Sequence, residues 1–325
     1  ILGSGAALPT SYRNPTSQYV YCNDRHILID CGEGTQVQLR RYHVHIQKIN
    51  HILISHLHGD HFFGLVGLLS SLHLLGRDKG MTIYGPEELE QIIRLQLEVG
   101  GTRLGFDLNF VALNGTEHRL LFEDKLIEIW TFPLNHRIPT NGFLIKEKPK
   151  ERRLDAERFE EAGLSLTLIP KLKQGLDVEL ESGEMIYSEE YTYPAKPSKS
   201  YAYCSDTIFD ERIVEYIKGA NLLYHEATFL NDKLDRAKQT FHTTAEQAAI
   251  IAKQAEVGKL LLGHLSARYE NGLKHREEAA AIFELGAANA ESKSYLDDNL
   301  YLGLSLYYAN NKKDVKPEIA GLQKA

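Results

Sequence analysis

Ser55-His56-Leu57-His58-Gly59-Asp60-His61 places three imidazoles and a carboxylate within six positions, directly after the apolar run His51-Ile52-Leu53-Ile54. Neutral imidazole nitrogen and carboxylate oxygen are the donors that a borderline divalent cation such as zinc prefers. Four donors on one loop exceed what a single tetrahedral ion needs if a position is to stay open for water. The density therefore points to two ions side by side, an arrangement suited to hydrolytic displacement at phosphorus or at a carbonyl. The bland alternative is a polar turn with incidental histidines. The strand-like run that feeds the loop argues against it.

Around this loop the composition is that of an ordinary globular protein. Of 325 residues, 43% are hydrophobic and 25% charged, enough for a large core. The formal charge of −7 excludes a generally basic nucleic-acid coat but leaves room for a local basic arm. Cys22, Cys31 and Cys204 are few, odd in number and widely spaced, so no disulfide framework is expected and a reducing, cytoplasmic setting is. The longest apolar stretch, residues 62–75, is interrupted by Gly64, Gly67, Ser70, Ser71 and His73, which argues against a membrane span. The chain opens at Ile1 in strand-like sequence, so further residues are expected before it.

Apolar runs at residues 19–21, 27–29, 52–54 and 82–84 read as strands, and helical patterns cover 35–42, 63–75, 86–99 and 244–254. Strand-like runs recur at 126–132, 142–145, 200–204, 222–224 and 260–262. The alternation predicts an α/β layered body. Gly3-Ser4-Gly5 lacks the third glycine of a dinucleotide fingerprint. Residues 146–199 carry four prolines, dense mixed charge and weak periodicity. They read as an insertion projecting from the core, with a hairpin or arm around residues 168–185. Residues 300–306 alternate like a strand, and a polar tail follows from about residue 310.

A two-ion site needs more donors than the loop supplies. His136, Asp206 and His264 each stand just past a strand-like run, where open α/β bodies place functional groups. Alone, each would read as a turn or core polar residue. Together they complete a set that the loop leaves unfinished.

With these residues the sequence resembles the metallo-β-lactamase superfamily, and three more motifs narrow the resemblance to tRNase Z, the tRNA 3′-processing endonuclease. They are Tyr224-His225-Glu226-Ala227-Thr228, Phe241-His242-Thr243-Thr244 and Leu265-Ser266-Ala267-Arg268-Tyr269. The resemblance runs from Ile1 to about Phe283. It implies one four-layer αββα domain over residues 1–325 with an inserted flexible arm, and two Zn2+ per subunit. One zinc is held by His56, His58 and His136, the other by Asp60, His61 and His264, and Asp206 bridges them. It also implies a metal-activated water as nucleophile, Asp60 as its partner, and His242 as general acid tuned by Glu226. His225 reads as structural. Substrate contacts fall to Arg13, Asn14, Lys171, Lys173, Thr244 and Arg268, the substrate is pre-tRNA, and the enzyme is a homodimer whose arm reaches tRNA held by the partner subunit. Two places depart from the family pattern. Ser11 replaces a lysine in the early loop, and the Gly-Pro pair of the arm is absent before Pro170-Lys171-Leu172-Lys173-Gln174-Gly175. The competing reading is a small-molecule phosphodiesterase or related hydrolase on the same fold. The apparent insertion and Asp206 favour the nuclease.

Overall fold

The computed structural model describes residues 1–283 and 300–302. Strands Ser17–Cys22, Arg25–Cys31, Ile49–Leu53, Met81–Pro86 and Leu108–Leu113 form a five-stranded sheet in that order. The first pair is antiparallel and the others parallel. The second sheet runs Leu300–Leu302, Leu260–Gly263, Leu222–Glu226, Ser200–Cys204, Thr140–Glu147, Ile127–Leu134 and Arg119–Glu123. It is parallel on its first side and antiparallel on the other.

Strands covered on both faces read as continuous apolar runs, and side chains still alternate between the faces. In the first sheet Leu28, Ile52 and Ile83 face the helices Thr35–Arg41, Leu65–Leu74 and Glu88–Val99. Their neighbours Ile27, Ile29, Leu53 and Tyr84 face the opposite way and meet Phe143, Ile145, Tyr203 and Tyr224 of the second sheet. The far face of that second sheet, with Leu144, Ala202, Cys204, Leu223 and Leu262, packs on Ile213–Ile217, Ala245–Gln254 and Leu273–Ala280. The result is the αββα order that the resemblance implies.

The chain closes on itself at one rim of the sandwich. Gly5–Ala6 pairs in parallel with Leu265–Ser266, and Leu265 N donates to Ser4 O. Lys146 and Ser200 face each other across neighbouring strands, so the chain leaves the sheet and re-enters beside its exit. The excursion between them has its own small core of Phe159, Leu172, Val178 and Ile186. The stretch expected as a hairpin or arm holds both a helix and a short ladder. Ile169–Lys173 is a short helix with Pro170 in its first turn, where proline's fixed φ fits, and only Val178–Glu179 and Met185–Ile186 pair. Strands Leu108–Leu113 and Arg119–Glu123 were not legible as runs, because their residues are mostly half-buried. Of the alternating stretch from residue 300, Leu300–Leu302 forms a strand; the tail from residue 310 lies outside the described residues.

Candidate active site

The donor loop follows strand Ile49–Leu53, and His136, Asp206, Glu226 and His264 lie at the ends of strands of the second sheet. Both sheets therefore open onto one cleft of about 610 Å³. Two groups of donors meet at its floor: His56, His58, His136 and Asp206 form one, and Asp60, His61 and His264 the other, while His242 makes a third, overlapping set with Asp206 and His264. Asp206 turns one oxygen to each. Its Oδ2 lies 3.5 Å from His56 Nε2 and 3.8 Å from His136 Nε2, and its Oδ1 lies 3.2 Å from His264 Nε2 and 3.4 Å from His61 Nε2.

The imidazoles are aimed by bonds on their outer sides, which frees one nitrogen each for the cleft. His61 Nδ1 lies 2.8 Å from Asp30 Oδ2, His136 Nδ1 2.8 Å from the Phe241 carbonyl, and His264 Nδ1 2.9 Å from Thr228 Oγ1. The inward nitrogens crowd together: His56 Nε2 to His58 Nδ1 is 3.0 Å, and His61 Nε2 to His264 Nε2 is 3.3 Å. Lone pairs facing each other at such distances repel unless a cation lies between them. Burial keeps His56 well below the ordinary imidazole pKa, hence neutral and able to ligate. Burial would raise the Asp206 carboxyl, but the imidazoles of His264, His61 and His56 hold it well below the usual range. Asp206 Oδ1 is buried with no donor aimed at it. A buried anionic oxygen without a donor, among inward nitrogens, fits divalent cations in both chemistry and number of donors.

Asp30, unremarked in the sequence, organises this floor. Its carboxylate accepts from Ser55 N at 2.7 Å, Ser55 Oγ at 2.9 Å and Tyr203 OH at 2.6 Å, besides His61. Asp30 and His264 both sit at φ 54°, a left-handed conformation that costs a non-glycine residue about 1 kcal/mol. The signal for Asp30 was an aspartate closing the apolar run Ile27-Leu28-Ile29, where a strand end places functional groups.

Beside the donors stands a second device. Glu226, fully buried, accepts from Thr207 N at 3.1 Å, Thr228 N at 3.0 Å and Thr228 Oγ1 at 2.8 Å. It also takes a 2.8 Å hydrogen bond from His242 Nδ1. Burial alone would lower the His242 pKa, but the Glu226 charge and hydrogen bond push it up to about 9. The His242 ring lies 5.2 Å from His136 and 5.4 Å from His264, centroid to centroid, so it overhangs the floor.

The comparisons with known proteins agree with this geometry. A family model described as anti-Pycsar protein Apyc1 matches residues 1–148. Ribonuclease Z of Parabacteroides distasonis is 46% identical over 87% of this chain and 93% of its own length. That of Cytophaga hutchinsonii is 47% identical over 92% of this chain and 96% of its own. The chain belongs to the ribonuclease Z family. The crystal structure of human tRNase Z, short form, superposes with a TM-score of 0.61 at 30% identity, covering 83% of this chain and 92% of that one. As a ribonuclease Z the chain is a metal-dependent endoribonuclease, a hydrolase of phosphodiester bonds.

Within this ribonuclease Z the residues expected to touch substrate divide. Arg268 is exposed on the cleft wall, steadied by Ser266 Oγ at 3.0 Å and lying over the Phe229 ring at 4.9 Å. Asn14 is half-buried, and its carbonyl takes the Gly5 N–H at 3.0 Å. Two others have partners within the chain. Arg13 is only 8% exposed, and its guanidinium donates to the carbonyls of Leu265, Tyr269 and Glu270. It pins the early loop to the segment after His264. Thr244 is buried and caps helix Ala245–Gln254 through a box with Gln247, so its hydroxyl is already used. Lys171 is exposed on the insertion, while Lys173 pairs with Glu151 at 2.8 Å. His225 is fully buried, with Nδ1 on the Glu226 carbonyl. Among the described residues, none of His26, His43, His45, His51, His73, His118 and His275 joins the donor groups. The three cysteines are free, and no described helix is long and apolar enough to cross a membrane.

Proposed function

We propose that this chain is a zinc-dependent endoribonuclease that removes the 3′ trailer from pre-tRNA and leaves a 3′-hydroxyl. The observation that carries the reading is the Glu226–His242 pair standing 2.8 Å apart over seven converging donors. His56, His58 and His136 would hold one ion, Asp60, His61 and His264 the other, and Asp206 both. Bound there, zinc supplies Lewis acidity at the phosphate and an acidified water at neutral pH.

The chain's own groups do the rest. Asp60, fixed by the Ala7 N–H at 2.7 Å, orients the attacking water and receives its proton. The leaving group is a ribose 3′-oxygen, too basic to depart without a proton. His242 gives its Nδ1–H to Glu226 and turns Nε2–H to that oxygen, and with its pKa near 9 it enters the reaction protonated. Such general acid catalysis contributes typically 10²–10⁴-fold. The insertion extends the contact to RNA outside the cleft, with Lys171 and Lys173 as salt-sensitive phosphate partners. We read residues 1–325 as one domain with the arm at 146–199, acting as a homodimer in the cytoplasm.

The test is cleavage by zinc-loaded protein of an unprocessed pre-tRNA and, separately, of bis-p-nitrophenyl phosphate. Precise removal of the trailer is expected. Cleavage of the ester without the RNA would overturn the reading in favour of a small-molecule phosphodiesterase.

A further inference from the structure

Phe63 is 59% exposed, while its neighbour Phe62 is 6% exposed and packed in the core. One edge of the Phe63 ring packs on Phe62, centroids 5.0 Å apart, and the rest of this large apolar surface stands open beside a polar catalytic floor. The ring lines the cleft and lies against the Gly59 α-carbon; a Cβ at residue 59 would fall 2.2 Å from Phe63 Cε2. Gly59 sits between the donors His58 and Asp60. The phenyl is thus held against the backbone that joins two donors. It is also rigidly mounted. Phe63 N donates to Gly59 O at 2.9 Å and Gly64 N to Cys31 O at 2.9 Å, and the Gly64 α-carbon abuts Gly32 O too closely for any side chain.

The opposite chemistry lines the rest of the cleft. Helix Leu234–Thr240 contributes Arg236 and Thr240, and the following turn contributes His242. Arg236 is exposed and makes no ion pair or side-chain hydrogen bond among the described residues. The ring neighbours of His242 are His136, Phe229 and His264, none from the segment carrying Phe63. The departing 3′-oxygen must face His242, so the retained nucleotide lies along that wall. The nucleotide joined to the phosphate through its 5′-oxygen is left with the wall formed by Phe63 and the exposed Leu8.

We propose that Phe63 is the stacking platform for the base of the first trailer nucleotide, with Arg236 on the facing wall as a phosphate contact. The inference rests on the pre-tRNA reading above. Stacking on an aromatic ring is tolerant of base identity, as an enzyme meeting varied trailers requires, and removing one such platform costs on the order of 10- to 100-fold.

A coupling experiment on the zinc-loaded enzyme tests it. Wild type, Phe63→Ala and Phe63→Trp are assayed on pre-tRNA with a normal base or an abasic site at the first trailer position, and on one abasic at the last retained position. The abasic trailer and Phe63→Ala are each expected to lower kcat/KM about 10-fold or more, with no further loss when combined. Phe63→Trp retains wild-type behaviour, and the abasic retained position combines additively. In a cleavage-resistant RNA, 2-aminopurine at the first trailer position is quenched on binding to wild type and not to Phe63→Ala. Metal content within about two-fold of wild type and an unchanged urea-unfolding midpoint show that the variants are folded. Additive losses at the trailer position, coupling at the retained position, or no effect of Phe63→Ala on RNA would each overturn the platform. A wild type that cuts no pre-tRNA would instead refute the functional reading beneath it.

Discussion

The floor of the cleft and the insertion between strands Thr140–Glu147 and Ser200–Cys204 are built on opposite principles. The floor is polar and buried: His56, His61 and Glu226 are fully excluded from solvent and Asp206 is 2% exposed. Burying such groups is expensive unless each is bonded; His61, His264 and His136 are tied by Asp30, Thr228 and the Phe241 carbonyl, and Asp206 Oδ1 is left to a cation. The insertion is held by four buried apolar side chains and two-rung ladders, and its charges stand outside. The difference follows from the tasks. Chemistry at one phosphorus atom needs donors fixed to fractions of an ångström, whereas the contact proposed for the insertion, with a nucleic-acid backbone, needs reach and charge.

This contrast can be broken by experiment. The largest effect is expected at the shared oxygens. Asp206→Ala removes a donor from both groups, so metal content measured by atomic absorption should drop, and RNA cleavage should fall more than about 10⁴-fold, most of the catalysed rate. Equal activity with full metal would show that the two groups are independent. His242→Ala should lower the cleavage rate on the order of 10³-fold and leave metal content near normal; loss of metal would make it a ligand instead.

A smaller effect concerns His275, fully buried beside Tyr269 with neither ring nitrogen partnered among the described residues. Burial, with a lesser contribution from the Arg13 charge, lowers its pKa to about 4. The folded state therefore refuses a proton that the unfolded chain accepts near pH 6.5. Stability from this residue is complete above pH 6.5 and is lost as pH falls toward 4, by about 3 kcal/mol. Urea unfolding of wild type and His275→Leu at pH 7 and pH 4.5 should show the variant gaining on wild type as the pH falls. A constant difference would mean that the histidine is already charged. The smallest effect lies on the insertion. Lys171→Ala with Lys173→Ala should reduce the slope of log affinity for pre-tRNA against log salt by about 1.5, with bis-p-nitrophenyl phosphate turnover unchanged. An unchanged slope would remove these lysines from the RNA contact.

Sequence alone reached the donors because metal chemistry restricts residue type and strand ends restrict position. The seven donors could be named from local runs such as Leu261-Leu262-Gly263-His264, while the Glu226–His242 pair came from the family resemblance. What it missed was decided by contacts across the fold. Asp30 lies 173 positions from Tyr203, whose hydroxyl it binds, and no local pattern announces that pairing. The intramolecular partners of Arg13 and Thr244 were hidden for the same reason: they stand 252 or more residues away or one helical turn ahead. Within the hairpin or arm expected in the insertion, the helix begins at Pro170, whose fixed φ starts a helix as readily as it breaks a strand.

The parallel pairing of Gly5–Ala6 with Leu265–Ser266 ties the beginning of the described chain to the segment that carries the last donor. The same loop supplies the Ala7 N–H that seats Asp60, and Arg13 locks the closure from beneath. A chain emerging from the ribosome would hold its donor loop early, yet could not finish the cleft until residue 266 had been made and had threaded back to residue 5. A topology that joins the first described strand to the last donor leaves the cleft unfinished in any shorter nascent chain.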